Sequence, residues 1–264
     1  MNDVTERDWY AWHSDYDEPD SGLARRLAAV QDQIRAALDA APPGPLHAVS
    51  LCAGQGRDLI GALARHPRRD DVTARLVELD PRNVAAARTA AEAADLPKVE
   101  VMTGDAALTD QYAGMVPAYL VLVCGVFGNI TDEDVRRTVG YCTQLCAHGG
   151  TVVWTRGRHE PDLVPQICDW FAERGFALVW VSDPAEGWGV AAHRFTAAPA
   201  RRVPLERGTR MFRFTGRRPA SLADFYAERA GVCPRRPTRA RRGCPPGRAP
   251  APGSRSTRRS GCVS

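Results

Sequence analysis

Leu23, Leu27, Val30, Ile34 and Leu38 recur at spacings of four, three, four and four. That period predicts an amphipathic helix. It ends before Pro42-Pro43-Gly44-Pro45, where proline removes backbone donors and fixes φ. Short apolar runs then alternate with helical stretches. A run from His47 to Cys52 leads through the small-residue turn Ala53-Gly54-Gln55-Gly56 into a helix carrying Leu59, Ile60 and Leu63. A strand from Thr73 to Leu79 precedes an alanine-rich helix from Pro81 to Ala94, and a strand from Lys98 to Met102 follows. A strand from Tyr119 to Cys124 precedes a helix with Val135, Val139, Cys142 and Leu145. A strand from Thr151 to Thr155 precedes one with Leu163, Val164, Ile167, Trp170 and Phe171. Strands alternating with helices predict a doubly wound, mostly parallel sheet covered on both faces.

After Gly175 only loops separate the strand-like runs Phe176 to Ser182, Val190 to Thr196 and Met211 to Phe214. At least one antiparallel edge strand follows, with Met211 to Phe214 the preferred partner of Phe176 to Ser182. Three regions result: an aromatic and acidic segment with a helix over 1–45, an α/β domain over 46–216, and a basic tail over 217–264. The tail holds twelve Arg against Asp224 and Glu228, and seven prolines, a composition that predicts disorder. Without it, 23 basic side chains face 29 acidic ones. An acidic body argues against a nucleic-acid-binding core, although the tail itself could tether RNA.

No apolar run approaches the roughly 20 residues that span a bilayer. Seven acids in the first twenty residues are the opposite of a secretory signal, so a cytoplasmic address is expected. The eight cysteines form no CxxC pair, and Cys52, Cys124, Cys142, Cys146 and Cys168 fall in buried-looking segments. They read as reduced core residues, and neither they nor the six histidines offer the clustered spacing of a metal site.

The first glycine turn joins a strand to a helix, which places backbone N–H groups and a positive helix end at the carboxyl edge of the sheet. A small-molecule site belongs there. A dinucleotide fingerprint would want a third glycine where Leu59 stands, which makes NAD the second choice of cofactor. The segments VSLCAGQGRDLIGAL, RLVELDPRNVAAAR and VEVMTGDAAL, in that order and spacing, resemble the first three motifs of class I S-adenosylmethionine-dependent methyltransferases.

The resemblance covers about Val49 to Phe214. It implies a Rossmann-like seven-stranded sheet with an antiparallel last strand, and S-adenosyl-L-methionine as cofactor. It puts Gly54 and Gly56 beside the methionine part of the cofactor and Glu78 on the ribose hydroxyls. Asp105 takes the adenine amino group, with the Ala106 N–H on a ring nitrogen. Ala53, Leu79, Cys124 and Gly125 complete the expected cofactor wall. Asp80, directly before Pro81, reads instead as a helix cap.

One departure is plain: Ser50 and Cys52 stand where the family has an acid and a glycine, which removes the usual partner of the cofactor's ammonium. Asp58 is either its substitute or a carboxylate complementing the helix dipole. Cys124-Gly125-Val126-Phe127-Gly128-Asn129 lacks the Asn/Asp-Pro-Pro-aromatic signature of enzymes that methylate amide or base nitrogens. Asn129 is either a substrate contact or a turn residue.

The chemistry implied is methyl transfer to oxygen or nitrogen of a small molecule, without membrane or nucleic-acid partner. Candidate general bases are His13, His159 and His193, with Tyr16 as an orienting hydroxyl. The alternatives are a cofactor-binding protein with a regulatory or assembly role, and an RNA methyltransferase using its basic tail. Trp9, Tyr10, Trp12, His13 and Tyr16 crowd the opening segment. They form either a lid over residues 9–17 that excludes water from the site, or a staple that packs the first helix on the sheet.

Overall fold

The computed structural model describes Asp8, Tyr10 and residues 16–18, 21–197 and 204–215. His13, most of the 9–17 segment and the 217–264 tail lie outside the described residues. The strands are β1 (Leu46–Leu51), β2 (Val72–Glu78), β3 (Val99–Thr103), β4 (Ala118–Val123), β5 (Cys146–Gly157), β6 (Phe176–Val181) and β7 (Trp188–Phe195). They form one sheet in the order β3-β2-β1-β4-β5-β7-β6, parallel except for β7.

The order reverses between β1 and β4, and in a doubly wound sheet such a switch point opens a crevice at the carboxyl ends of the strands. The helices are α1 (Gly22–Asp39), α2 (Arg57–Leu63), α3 (Pro81–Ala93), α4 (Asp132–Leu145) and α5 (Val164–Glu173). Among the described residues no helix is long and apolar enough to cross a membrane.

Successive strand residues supply opposite faces, so two cores form. One packs Val30, Ile34 and Leu38 of α1, Leu59 and Leu63 of α2 and Val84 and Ala87 of α3 against Ala48, Leu76 and Leu122. The other packs Val135, Val139 and Leu145 of α4 and Ile167 and Phe171 of α5 against Val49, Val121 and Trp154. The side chain of Ser21 caps α1, and Asp80 accepts from the Arg82 N–H at 2.9 Å at the start of α3. Asp80 is the cap that its place before Pro81 implied.

The end of the chain departs from the expected pairing. β7, not Met211 to Phe214, pairs with β6, and it lies inside the sheet between β5 and β6, so the antiparallel strand is not at the edge. The reason is local. Asp183 caps a 3-10 turn at Pro184–Glu186, and Gly187 takes a left-handed φ of 74°, which returns the chain directly onto β6. Met211 and Phe212 are buried in the α4 side of the core instead, within a strap of residues 204–215. The strap touches the body through isolated bridges at Leu108–Arg210 and Ile130–Phe214.

Candidate active site

The carboxyl ends of β1, β2, β4 and β5, the loop after β3, and the inner face of α1 surround a cavity of about 830 Å³. Ala53, Gly54, Asp58, Glu78, Leu79, Asp105, Ala106, Cys124, Gly125 and Asn129 all line it. The predicted wall is thus assembled from four separate strand ends.

Glu78, 9% exposed, ends β2, and its carboxylate organises the glycine loop. The Gly54 N–H donates to Oε2 at 2.8 Å and the Asp80 N–H to Oε1 at 2.9 Å. Each carboxylate oxygen keeps a second lone pair for a ligand hydroxyl. Cys52, in place of the family's glycine, still adopts the left-handed backbone, with φ of 51°. A side chain there costs roughly 1 to 2 kcal/mol, so the loop shape is retained at some strain.

Gly56 does not line the cavity. Its φ is 68°, and a Cβ there would stand 2.7 Å from Ile60 Cδ1 and 2.8 Å from Leu76 Cδ2. Its function is to let α2 close onto β2. Gly56→Ala is therefore expected to lower stability by about 2 kcal/mol, from left-handed strain and overpacking together. Urea unfolding measures it, and an unchanged midpoint would contradict the close packing.

Asp58 sits in the first turn of α2, with Oδ1 accepting from the Leu59 N–H at 2.7 Å and the Cys124 thiol near its carboxylate. Burial raises its pKa to about 6. Ser50, at the family's acidic position, is 1% exposed, and its Oγ has no hydrogen-bond partner among the described residues. It does not reach the cavity, whereas Asp58 does. Asp105 accepts from the Ala107 N–H at 3.0 Å and pairs with Arg210 of the strap at 2.7 Å. An adenine amino group would share that carboxylate with a guanidinium.

Two described residues of the opening segment reach the same cavity. Asp8 and Tyr16 line it. Asp8 pairs with Arg82 at 2.8 Å and Asp17 with Arg57 at 2.7 Å. Arg26 Nη2 donates to the Tyr16 hydroxyl at 3.2 Å, the Arg57 guanidinium lies 5.6 Å from the Tyr16 ring centre, and burial raises the Tyr16 pKa.

His159 lines the cavity just past β5. Burial and the Arg156 charge hold its pKa below the ordinary imidazole value. His193 is elsewhere: it is fully buried in β7, its ring stacked 4.5 Å from Phe171, and its Nδ1 accepts from the Trp154 indole at 3.2 Å. Desolvation lowers its pKa to about 4. It is a core residue that does not reach the cavity, and not the base that its sequence context suggested. Asn129 does close a turn, its Nδ2 donating to the Gly125 carbonyl at 2.6 Å, while also lining the cavity.

Arg26, Arg82, Arg156 and Phe214 line the cavity without having been singled out in the sequence. Arg26 interrupts the apolar stripe between Leu23 and Val30, and Arg156 follows the buried run at the end of β5. A charge in either place is the signal that could have found them.

Residues 21–175, more than half of the chain, match the model of a family described as "Putative methyltransferase". No curated protein sequence matches the chain. Among solved structures, an O-methyltransferase family protein from Burkholderia thailandensis superposes with a TM-score of 0.55 at 18% identity, over 73% of this chain and 61% of that one. The CurJ carbon methyltransferase superposes with a TM-score of 0.54 at 14% identity, over 70% of this chain and 58% of that one. An RNA methyltransferase from Salinibacter ruber, in complex with S-adenosyl-L-homocysteine, has a TM-score of 0.43 at 18% identity, over 69% and 97%. The chain thus spans about three fifths of the length of the first two. At these identities the superpositions show the fold, and the family match covers the glycine loop and every strand through β5. The chain belongs to this methyltransferase family, and its fold is the one that the two methyltransferase structures share.

Proposed function

We propose that the protein transfers a methyl group from S-adenosyl-L-methionine to an oxygen or nitrogen of a small molecule in the cytoplasm. The observation that carries this reading is the set of acids in one cavity: Asp58, Glu78 and Asp105, at or beyond the carboxyl ends of three different strands. That set fits a cationic cofactor with a diol and an exocyclic amine. Glu78 would hold the ribose hydroxyls, Asp105 with the Ala106 N–H the adenine, and Asp58 the ammonium that Ser50 cannot reach. When bound, the cofactor's sulfonium supplies an already electrophilic methyl group. The chain's own task is then to align an acceptor and take its proton. His159, kept neutral by burial and by Arg156, is the proposed proton acceptor, and the Tyr16 hydroxyl, steadied by Arg26, orients the acceptor. The ion pairs of Asp8 with Arg82 and of Asp17 with Arg57 tie these two described residues to side chains of the cavity wall.

The test is formation of S-adenosyl-L-homocysteine from the methyl donor when the full chain is offered fractionated cell extract. Product is expected with the low-molecular-weight fraction. Cofactor binding without any turnover would favour the regulatory reading, and turnover confined to an RNA fraction would favour the tail-assisted one.

Asp58 gives this reading a pH signature. Its folded pKa of about 6 exceeds that of an exposed carboxyl, so folding takes up a proton. The ionised form therefore destabilises the ligand-free fold above about pH 6, and the penalty fades on acidification. A bound ammonium reverses the preference. S-adenosyl-L-homocysteine affinity is expected to rise as pH is raised through about 6, and Asp58→Asn to flatten the curve. Calorimetry across that range decides it; an unchanged slope in Asp58→Asn would return Asp58 to a dipole role.

A further inference from the structure

The charges lining the cavity are divided by position. Its acids, Asp8, Asp58, Glu78, Asp80 and Asp105, stand at the β1, β2 and β3 end or on the opening segment above it. At the β4 and β5 end the side chains are Cys124, Asn129, Thr155, Arg156, His159 and Phe214, with no carboxylate among them. Resting on the methyltransferase reading above, we propose that this end selects an acceptor bearing a carboxylate on an apolar, planar body, with Arg156 as its anchor.

Arg156 is held for that purpose. Its Nη1 donates to the Phe127 carbonyl at 2.5 Å, which fixes the plane of the guanidinium at the end of β5. Asp132 approaches Nη2 only at 3.4 Å, is itself 59% exposed, and does not line the cavity. Two of five N–H donors are thereby used, and a planar fork with donors to spare matches a carboxylate better than a point charge would. Two other arginines of the cavity have closer carboxylates: Arg57 has Asp17, and Arg82 has Asp8 and Asp80, while Arg26 donates to the Tyr16 hydroxyl. Burial lowers the Arg156 pKa, against the raising effect of the Asp132 and Asp162 charges. No lysine lines the cavity, so a single guanidinium matches a monoanion rather than a phosphate dianion.

The rest of this end suits the same ligand. Phe214 is 46% exposed and meets Phe212 edge-on at 5.8 Å, which puts an apolar ring at this end. His159 folds back over the strand end because residue 157 is glycine: a Cβ there would come 2.6 Å from His159 Nε2. The proposed proton acceptor and the anion anchor thus share one strand end.

The experiment uses the full chain saturated with S-adenosyl-L-homocysteine and three matched probes: benzoate, benzamide and phenyl phosphate. Calorimetry on the same sample first establishes that the cofactor product binds; its failure to bind would overturn the methyltransferase reading and this proposal with it. With it bound, benzoate is expected to bind about tenfold more tightly than benzamide, the margin of one charge-assisted pair. Arg156→Gln should erase that preference while leaving S-adenosyl-L-homocysteine affinity within about twofold, since the anchor lies at the acceptor end. Arg156→Lys, which keeps the charge and loses the fork, should retain only part of the preference and controls for folding. Equal binding of benzoate and benzamide, or tightest binding of phenyl phosphate, would overturn the carboxylate assignment alone. Equal loss of cofactor-product affinity in Arg156→Gln would show that Arg156 holds the cofactor's own carboxylate, and would overturn it too.

Discussion

Glu78→Ala is expected to weaken S-adenosyl-L-homocysteine binding by about 3 kcal/mol, roughly a hundredfold, with the chain still folded. Two losses combine. The ribose diol loses a charged acceptor, and the glycine loop loses the carboxylate to which Gly54 and Asp80 donate. Glu78→Gln should be nearly as damaging, because an amide nitrogen placed where Oε1 or Oε2 stood would point a donor at a backbone N–H. Calorimetry reports the affinity, and near-ultraviolet circular dichroism confirms the fold. Unchanged affinity in a folded Glu78→Ala protein would remove the ribose assignment and turn attention to Asp80. That residue is already committed to the α3 cap and to Arg82.

The parallel half of the sheet was readable because each strand is a short run rich in apolar residues, with a glycine or an acid at or near its carboxyl end. The acids at those ends, Glu78 and Asp105, are the ones that line the cavity. The antiparallel half was not, since Met211 to Phe214 is rich in strand-forming residues but buries Met211 and Phe212 against α4 instead of pairing with β6. Periodicity reports which side chains are buried, not which backbone they face. His193 shows the same limit: a histidine in an apolar run is a base on one face of a sheet and a packed ring on the other. Gly56 was placed correctly in the loop, yet its side of the turn faces Ile60 and Leu76 rather than the cavity. Arg156 went unnoticed because a single arginine at a strand end carries no motif, and its meaning comes from neighbours 29 and 24 residues away, Phe127 and Asp132.

The strap leads to the largest expected loss of stability. Phe212→Ala should cost about 3 to 5 kcal/mol, the usual penalty for emptying a large aromatic site in a core that cannot collapse. Phe212 is 1% exposed, and its neighbours are pinned on both sides: the Met211 N–H donates to the Ala107 carbonyl at 2.8 Å, and the Arg213 N–H to Asp134 Oδ2 at 2.8 Å. Arg137 Nε reaches the Met211 carbonyl at 2.9 Å from α4, so the backbone resists closing over the void. The same strap carries Arg210 to Asp105 and Phe214 to the acceptor end. Its loosening should therefore weaken S-adenosyl-L-homocysteine binding as well as the fold. Truncation after Gly216 is the contrasting case, because it removes an Arg- and Pro-rich segment whose composition can bury little apolar surface. Its melting temperature should match that of the full chain while Phe212→Ala falls far below both. A fall of several degrees on truncation would show that the basic tail packs on the body. A Phe212→Ala protein within about 1 kcal/mol of the parent would show that the strap adds little to the core.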